Sequence, residues 1–94
     1  MLGVILNNIP TIYDATVSIN DDVFKYNGRW YLPSSVQNLP MNKMCILETY
    51  RVSDTRILQR VTTLGDTVRM FLRSIHSSSA TWTNWYKLEG SEVS

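Results

Sequence analysis

Turn signals cut this chain into short runs. Asn7-Asn8-Ile9-Pro10, Asn20-Asp21-Asp22, Asn27-Gly28, the stretch between Pro33 and Pro40, Ser53-Asp54-Thr55, Gly65-Asp66 and Ser77-Ser78-Ser79 punctuate it. The pieces between them are mostly about 5–10 residues long, which suits strands better than helices. Strands are predicted over 29–33 (RWYLP), 43–52 (KMCILETYRV), 55–64 (TRILQRVTTL), 67–76 (TVRMFLRSIH) and 84–88 (NWYKL). TVSI (16–19) and VFKY (23–26) are weaker strand candidates, and a short helix fits around residues 7–15. Asn27-Gly28 reads as a tight turn.

One run is ambiguous. Ile57, Leu58, Val61 and Leu64 also match a helical i, i+1, i+4, i+7 pattern. Strand is preferred because Val61, Thr62 and Thr63 are β-branched and the run is short. Gly65-Asp66 can also join it to 67–76 as a hairpin.

The two faces of these strands are less distinct than a solvated sheet requires. In 43–52, Ile46, Tyr50 and Val52 share one face, with Cys45 and Leu47 on the other. In 67–76, Val68, Met70 and Leu72 oppose Phe71 and Ile75. A chain without crossover helices cannot easily cover both sides. Something outside it, most simply copies of itself, is expected to cover one.

Composition narrows the function more than the fold. With 94 residues the chain holds one domain at most, and a core of that size leaves it marginally stable alone. The net charge is +1 and the arginines are dispersed, which argues against a nucleic-acid footprint. Cys45 is the single cysteine, so no internal disulfide forms; its apolar neighbours Met44, Ile46 and Leu47 suggest a buried structural thiol. His76 is the single histidine, and nothing in the spacing pairs it with Cys45 as a catalytic dyad or builds a zinc site. The carboxylates are scattered, so no acid/base pair and no catalytic residue can be named. Asn20-Asp21-Asp22 reads as a turn before it reads as a calcium loop. No cofactor is expected. The opening MLGVILNNIP has an apolar run of only six residues and no basic region, unlike a signal peptide or a membrane span. It reads as an approach segment over 1–14, and EGSEVS (89–94) as a polar tail or the start of a further segment.

From Gly28 onward the chain reads GRWYLP, NLP, MCILETYRV, RILQRVTT, VRMFLRSI and TWTNWYKL. This order resembles the pyocin-knob domain of tail fibres and receptor-binding proteins of phages and phage-tail-like bacteriocins. The matching positions are Gly28 and Tyr31, Asn38 and Pro40, Gln59 with Thr62, Arg73, and Trp82 with Trp85, across residues 15–88. Ala80-Thr81 departs from the Gly-Thr or Gly-Ser pair common before the first tryptophan, and the first twenty residues match little. The resemblance implies a mainly β fold: a small antiparallel meander knob with at most one short N-terminal helix, in a homotrimeric fibre. It implies a virion tail or tail-like particle that works outside the cell and attaches to a bacterial surface glycan or other receptor. It implies no catalysis, no nucleic-acid partner and no membrane insertion. The alternative is an autonomous carbohydrate-binding module using exposed aromatics.

The candidate surface contacts are Arg69, Arg73, Trp82, Trp85 and Tyr86. Two indoles suit a sugar-stacking platform, but a spacing of three sends them to opposite faces of a regular strand unless the strand starts between them. They read better as plugs of the core or of an interface between chains. Arg73 could meet an acidic receptor group; stacking on Trp82 or Trp85, or bonding to loop carbonyls, is the plainer expectation. Arg69 falls on the same strand face as Arg73, making a two-arginine face that is either solvated or attractive to anionic polymers. Gln59, mid-strand among apolar neighbours, is expected to bond to backbone, and Asn38-Leu39-Pro40 to fix a loop.

Overall fold

The computed structural model describes residues 9–12, 16–79 and 81–88. Its strands are β1 (Gly28–Leu32), β2 (Cys45–Ser53), β3 (Arg56–Thr63), β4 (Met70–Ile75) and β5 (Tyr86–Leu88), preceded by a 3₁₀ helix at Asp22–Lys25. All five join one antiparallel sheet in chain order, a meander. The predicted mainly β fold is what forms.

Alternation settles the helix-or-strand question over 55–64. Ile57, Gln59, Val61 and Thr63 are buried, while Arg56 and Leu58 are exposed. β2 buries Cys45, Leu47 and Thr49, and β4 buries Phe71, Arg73 and Ile75. A period of two places these on one face, which is the core face. Asp54-Thr55 joins β2 to β3, and a register shift between Arg51 and Ser53 leaves Val52 as an extra residue. The β3–β4 link is longer than Gly65-Asp66 suggests. It closes where Thr63 N donates to Arg69 O at 2.8 Å and Arg69 N to Thr63 Oγ1 at 3.0 Å. β4 therefore starts at Met70 rather than at residue 67.

The core face is covered by two irregular segments, 16–25 and 33–44. They are laced together by a parallel bridge between Ser18 and Gln37. Ile19 N donates to Gln37 O and Gln37 N to Val17 O. Ile19, Phe24 and Val36 from this layer meet Leu32, Cys45, Leu47, Val61 and Phe71 from the sheet. Cys45 sits inside as expected, and burial pushes its thiol up to about 11.

Both weaker strand candidates are corrected. Residues 16–19 keep only the single bridge at Ser18. Residues 23–26 enter the 3₁₀ helix, because Phe24 alone must be buried while Val23 and Tyr26 stay exposed. A strand would have sent Phe24 and Tyr26 to the same side. The Asn20-Asp21-Asp22 turn forms, with Ser18 N donating to Asp21 Oδ2 and Phe24 N to Asp21 O. The helix around 7–15 falls mostly outside the described residues; of its span, residues 9–12 run alongside β1, where Tyr31 N donates to Pro10 O and Ile12 N to Tyr31 O. That segment covers the β1 edge.

Asn27-Gly28 is not a tight turn of the hairpin kind. Asn27 Oδ1 accepts from Arg51 N at 2.6 Å, Gly28 already belongs to β1, and its φ is not positive. The need for glycine comes from Trp30, two residues along on the same side. A Cβ at position 28 would lie 2.8 Å from Trp30 Cη2 and 2.9 Å from Cζ2. Trp30 cannot yield easily, since its ring packs edge-on against buried Phe24, with 5.1 Å between centroids. Gly28→Ala is therefore expected to destabilise the fold by about 1–3 kcal/mol, as overpacking does. Urea denaturation measures it, and an unchanged midpoint would remove this explanation for Gly28.

Candidate functional site

On the core face the sheet register aligns Gly28, Thr49, Gln59 and Arg73 across four strands. Three polar side chains thus lie side by side in an apolar interior, where each needs a partner. Thr49 Oγ1 donates to Phe24 O at 2.7 Å, and Gln59 Nε2 donates to the same carbonyl at 3.1 Å. Arg73 Nε donates to Gln59 Oε1 at 2.8 Å, and Arg73 Nη2 to Ile19 O at 3.4 Å. Gln59 does bond to backbone, as its sequence setting predicts. The row fastens the 16–25 segment to the sheet through two of its carbonyls.

Arg73 is only 6% exposed. Its guanidinium carbon lies 4.2 Å from the Trp82 ring centroid and 4.4 Å from that of Trp85. Two indole faces and two oxygen acceptors therefore replace its water, and none of the salt bridges among the described residues involves it. Burial pushes the guanidinium down to about 10, so it stays charged at neutral pH. Desolvated cation–π contacts reach about 2 kcal/mol each, which offsets part of the burial cost.

The expectation that Trp82 and Trp85 point to opposite faces is corrected. They converge on one cation because residues 81–85 are not a regular strand. Trp82 makes a single bridge to Ile75, and Thr83 folds onto Ser74: Thr83 N donates to Ser74 O at 2.9 Å and Ser74 N to Thr83 Oγ1 at 3.1 Å. β5 begins only at Tyr86. The period of two does not apply before that point. Each indole gives a face to Arg73, so the pair closes the domain as a plug. The indole Nε1 of Trp82 is buried without an acceptor among the described residues.

The remaining sequence candidates disperse. Arg69 precedes β4, and Arg73 lies under the indoles, so the expected two-arginine strand face does not form. Tyr86 is 65% exposed and faces away from the core, opposite Leu72. Asn38 takes a φ of 66°, a left-handed conformation that asparagine tolerates, and its Nδ2 donates to Ser18 Oγ at 2.7 Å. It fixes the 33–44 loop. Tyr31 Oη contacts Met44 Sδ at 2.8 Å, and Pro40 is half-buried.

The outward face of the sheet carries residues that the sequence grouped together, Ile46 and Tyr50 on β2 and Met70 and Leu72 on β4, but its charged residues were not paired from the sequence. Its one close charge pair is Glu48 with Arg60, cross-strand neighbours on β2 and β3. Glu48 Oε1 accepts from Arg60 Nε at 3.0 Å and Nη2 at 2.7 Å, and Glu48 Oε2 accepts from Tyr50 Oη at 2.7 Å. Partial burial raises the carboxyl's pKa. The hydrogen bonds from Tyr50 and Arg60, with the charges of Arg60 and Arg29, outweigh that and hold it below 4.5. Only the bulge near Val52 makes this pair possible. An unbroken register from Ser53–Arg56 would set Glu48 opposite Val61. Around the charge pair lie exposed Tyr50, Leu58, Tyr86 and Leu88.

A cleft of about 210 Å³ lies at one end, lined by Asp22, Lys25, Tyr26, Arg51 and Asp54 together with Ile57 and Ile75. Its charges are committed within the chain, Lys25 to Asp22 at 3.3 Å and Arg51 to Asp54, with Arg51 also 4.6 Å from the Tyr26 ring centroid. Among the described residues no group of three or more His, Cys, Asp or Glu side chains could hold a metal, and no helix is long and apolar enough to cross a membrane. Comparison with protein-family models, with curated proteins and with solved structures finds no significant match.

Two outcomes follow from these networks. Gln59→Leu keeps the volume but leaves Arg73 Nε unpaired in the interior, so a loss of about 2–4 kcal/mol is expected. A loss below about 0.5 kcal/mol in chemical denaturation would mean that the row is not stabilising. Glu48 has a folded pKa below its unfolded one, so its contribution is full above pH 4.5 and fades as pH falls through the folded value. Wild type should exceed Glu48→Gln in stability at pH 7, and the gap should close in strong acid. A gap that is constant from pH 7 to pH 2 contradicts this.

Proposed function

We propose that this chain is a non-catalytic knob domain of a phage tail fibre or receptor-binding protein, working as a homotrimer that attaches a virion or tail-like particle to the bacterial surface. The observation that supports this reading is the ordered motif set, with the structural roles its positions take. Gln59, Arg73, Trp82 and Trp85 lie in one contiguous network. Gly28 makes room for Trp30, and Asn38 ties two covering segments together. These residues read as the signature of how one small domain is built, which is what a shared domain motif encodes. The outward apolar residues suit a subunit that meets its own kind.

The second reading, a monomeric carbohydrate-binding module, rests on the exposure of Tyr50 and Tyr86, since flat phenol faces can stack on sugars. The Trp pair serves it poorly, being engaged with Arg73.

Sedimentation equilibrium of the full chain separates the two. The fibre reading expects a trimer at micromolar concentration and retention of the chain on purified bacterial envelopes. A stable monomer that binds glycan and loses binding in Tyr86→Ala without loss of stability would overturn it in favour of the module.

A further inference from the structure

A small polar cavity of about 130 Å³ lies apart from both charge networks, at the end of the sheet where β3 turns into β4. Lys43, Asp66, Thr67 and Arg69 supply its polar lining. Backbone hydrogen bonds fix its walls. Leu64 N donates to Met44 O at 2.8 Å, which holds the 41–44 segment beside the β3–β4 loop, and Lys43 N donates to Met41 O at 2.9 Å. Thr63 and Arg69 close the neck of that loop, with Thr63 N donating to Arg69 O at 2.8 Å and Arg69 N to Thr63 Oγ1 at 3.0 Å. Both cations therefore start from anchored backbone.

Their charges are not spent inside the chain. Lys25, Arg51 and Arg60 pair with carboxylates, Arg56 donates to carbonyls, and Arg73 lies under two indoles. Among the described residues neither Lys43 Nζ nor the Arg69 guanidinium has a hydrogen bond or an ion pair. Asp66 is the one carboxylate of the lining, so one net positive charge remains there. The loop adds donors of its own. The amides of Gly65, Asp66, Thr67 and Val68 meet no acceptor among the described residues. Nor does the fold itself require Gly65: a Cβ there would meet nothing within 4 Å, and its φ is not positive. A bare Cα lets a ligand oxygen approach the backbone closely.

Size and chemistry select the occupant. The volume equals that of about four waters in the liquid and falls well below the roughly 300 Å³ at which sites for drug-sized molecules begin. It suits a single charged group. An ammonium, a guanidinium fork, a hydroxyl and free amides offer more donors than the two oxygens of a carboxylate use, and a phosphoryl group has the oxygens to meet them.

We propose that this cavity is a subsite for a phosphoryl group, with Arg69 and Lys43 as its charged donors and Thr67 beside them. The site does not rest on the fibre reading, which supplies only one of the probes. Asp66 opposes the ligand and keeps its affinity low.

The test titrates inorganic phosphate into the wild-type chain and follows amide NMR shifts at constant ionic strength, because salt screens surface attraction. Saturable shifts confined to Lys43 and residues 63–69 are expected. Arg69→Gln and Lys43→Gln should each raise the dissociation constant at least about ten-fold, and Asp66→Asn should lower it about three-fold. The two cation side chains bond to nothing within the chain, so these variants should fold, which circular dichroism checks; if one unfolds, the position of the wild-type shifts decides. No saturable shift, shifts centred elsewhere, or an affinity unchanged in both cation variants overturns the proposal. Retention of wild type but not Arg69→Gln on vesicles of phosphorylated lipopolysaccharide supports the site with a surface polymer as its source. Phosphate binding without that retention supports the site with the free ion as its source, and counts against attachment through it.

Discussion

A guanidinium has been taken out of water here with no carboxylate to receive it. Arg73 is held by a glutamine oxygen, a backbone carbonyl and two indole faces. A bare charge in a protein interior is costly, so these four contacts must be present together or the site fails. They come from three different parts of the chain. Gln59 comes from β3, Ile19 from the covering layer, and the indoles from the segment before β5. Satisfying one cation therefore closes the domain in three directions. The irregular layer has few regular hydrogen bonds of its own. Its attachment depends on the carbonyls of Ile19 and Phe24 being taken up by this row. Polar chemistry thus does for the covering layer what helix packing does in larger α+β folds.

The sheet was largely legible in the sequence, because strand length, turn residues and β-branching agree there. The exceptions have identifiable physical causes. VFKY has strand-like composition, yet a single buried Phe24 beside exposed Val23 and Tyr26 asks for a three-residue period. The Asn27-Gly28 signal was real as a glycine requirement but wrong in kind. The glycine answers to the bulk of Trp30, which local turn rules do not register.

The functional chemistry divides in the same way. That Gln59 bonds to backbone and that Arg73 stacks on an indole could be read from the sequence without any register. The Trp82–Trp85 geometry could not. It depends on Thr83 using its hydroxyl and amide on Ser74, which suspends strand periodicity for a few residues. The Glu48–Arg60 pair was equally hidden, since one bulged residue at Val52 decides which side chains stand opposite each other. Long-range pairing of this sort depends on a one-residue count in a hairpin, and composition is silent on that count.

The two sides of the sheet solve one problem by different means. On the inner side the chain has residues to spare, and it covers the sheet with segments tied down by buried polar groups. On the outer side no further segment among the described residues lies over it, and the apolar surface remains. What distinguishes that surface from an accidental greasy patch is its electrostatics. Holding Glu48 between Arg60 and Tyr50 costs side-chain freedom, which three charge-assisted hydrogen bonds to a carboxylate only 14% exposed offset. The bulge that creates this pair also bends β2 at its exposed end, so the same irregularity sets both the shape and the charge balance of the face. The inner network must be complete before the domain closes, and the outer one is complete within the chain itself.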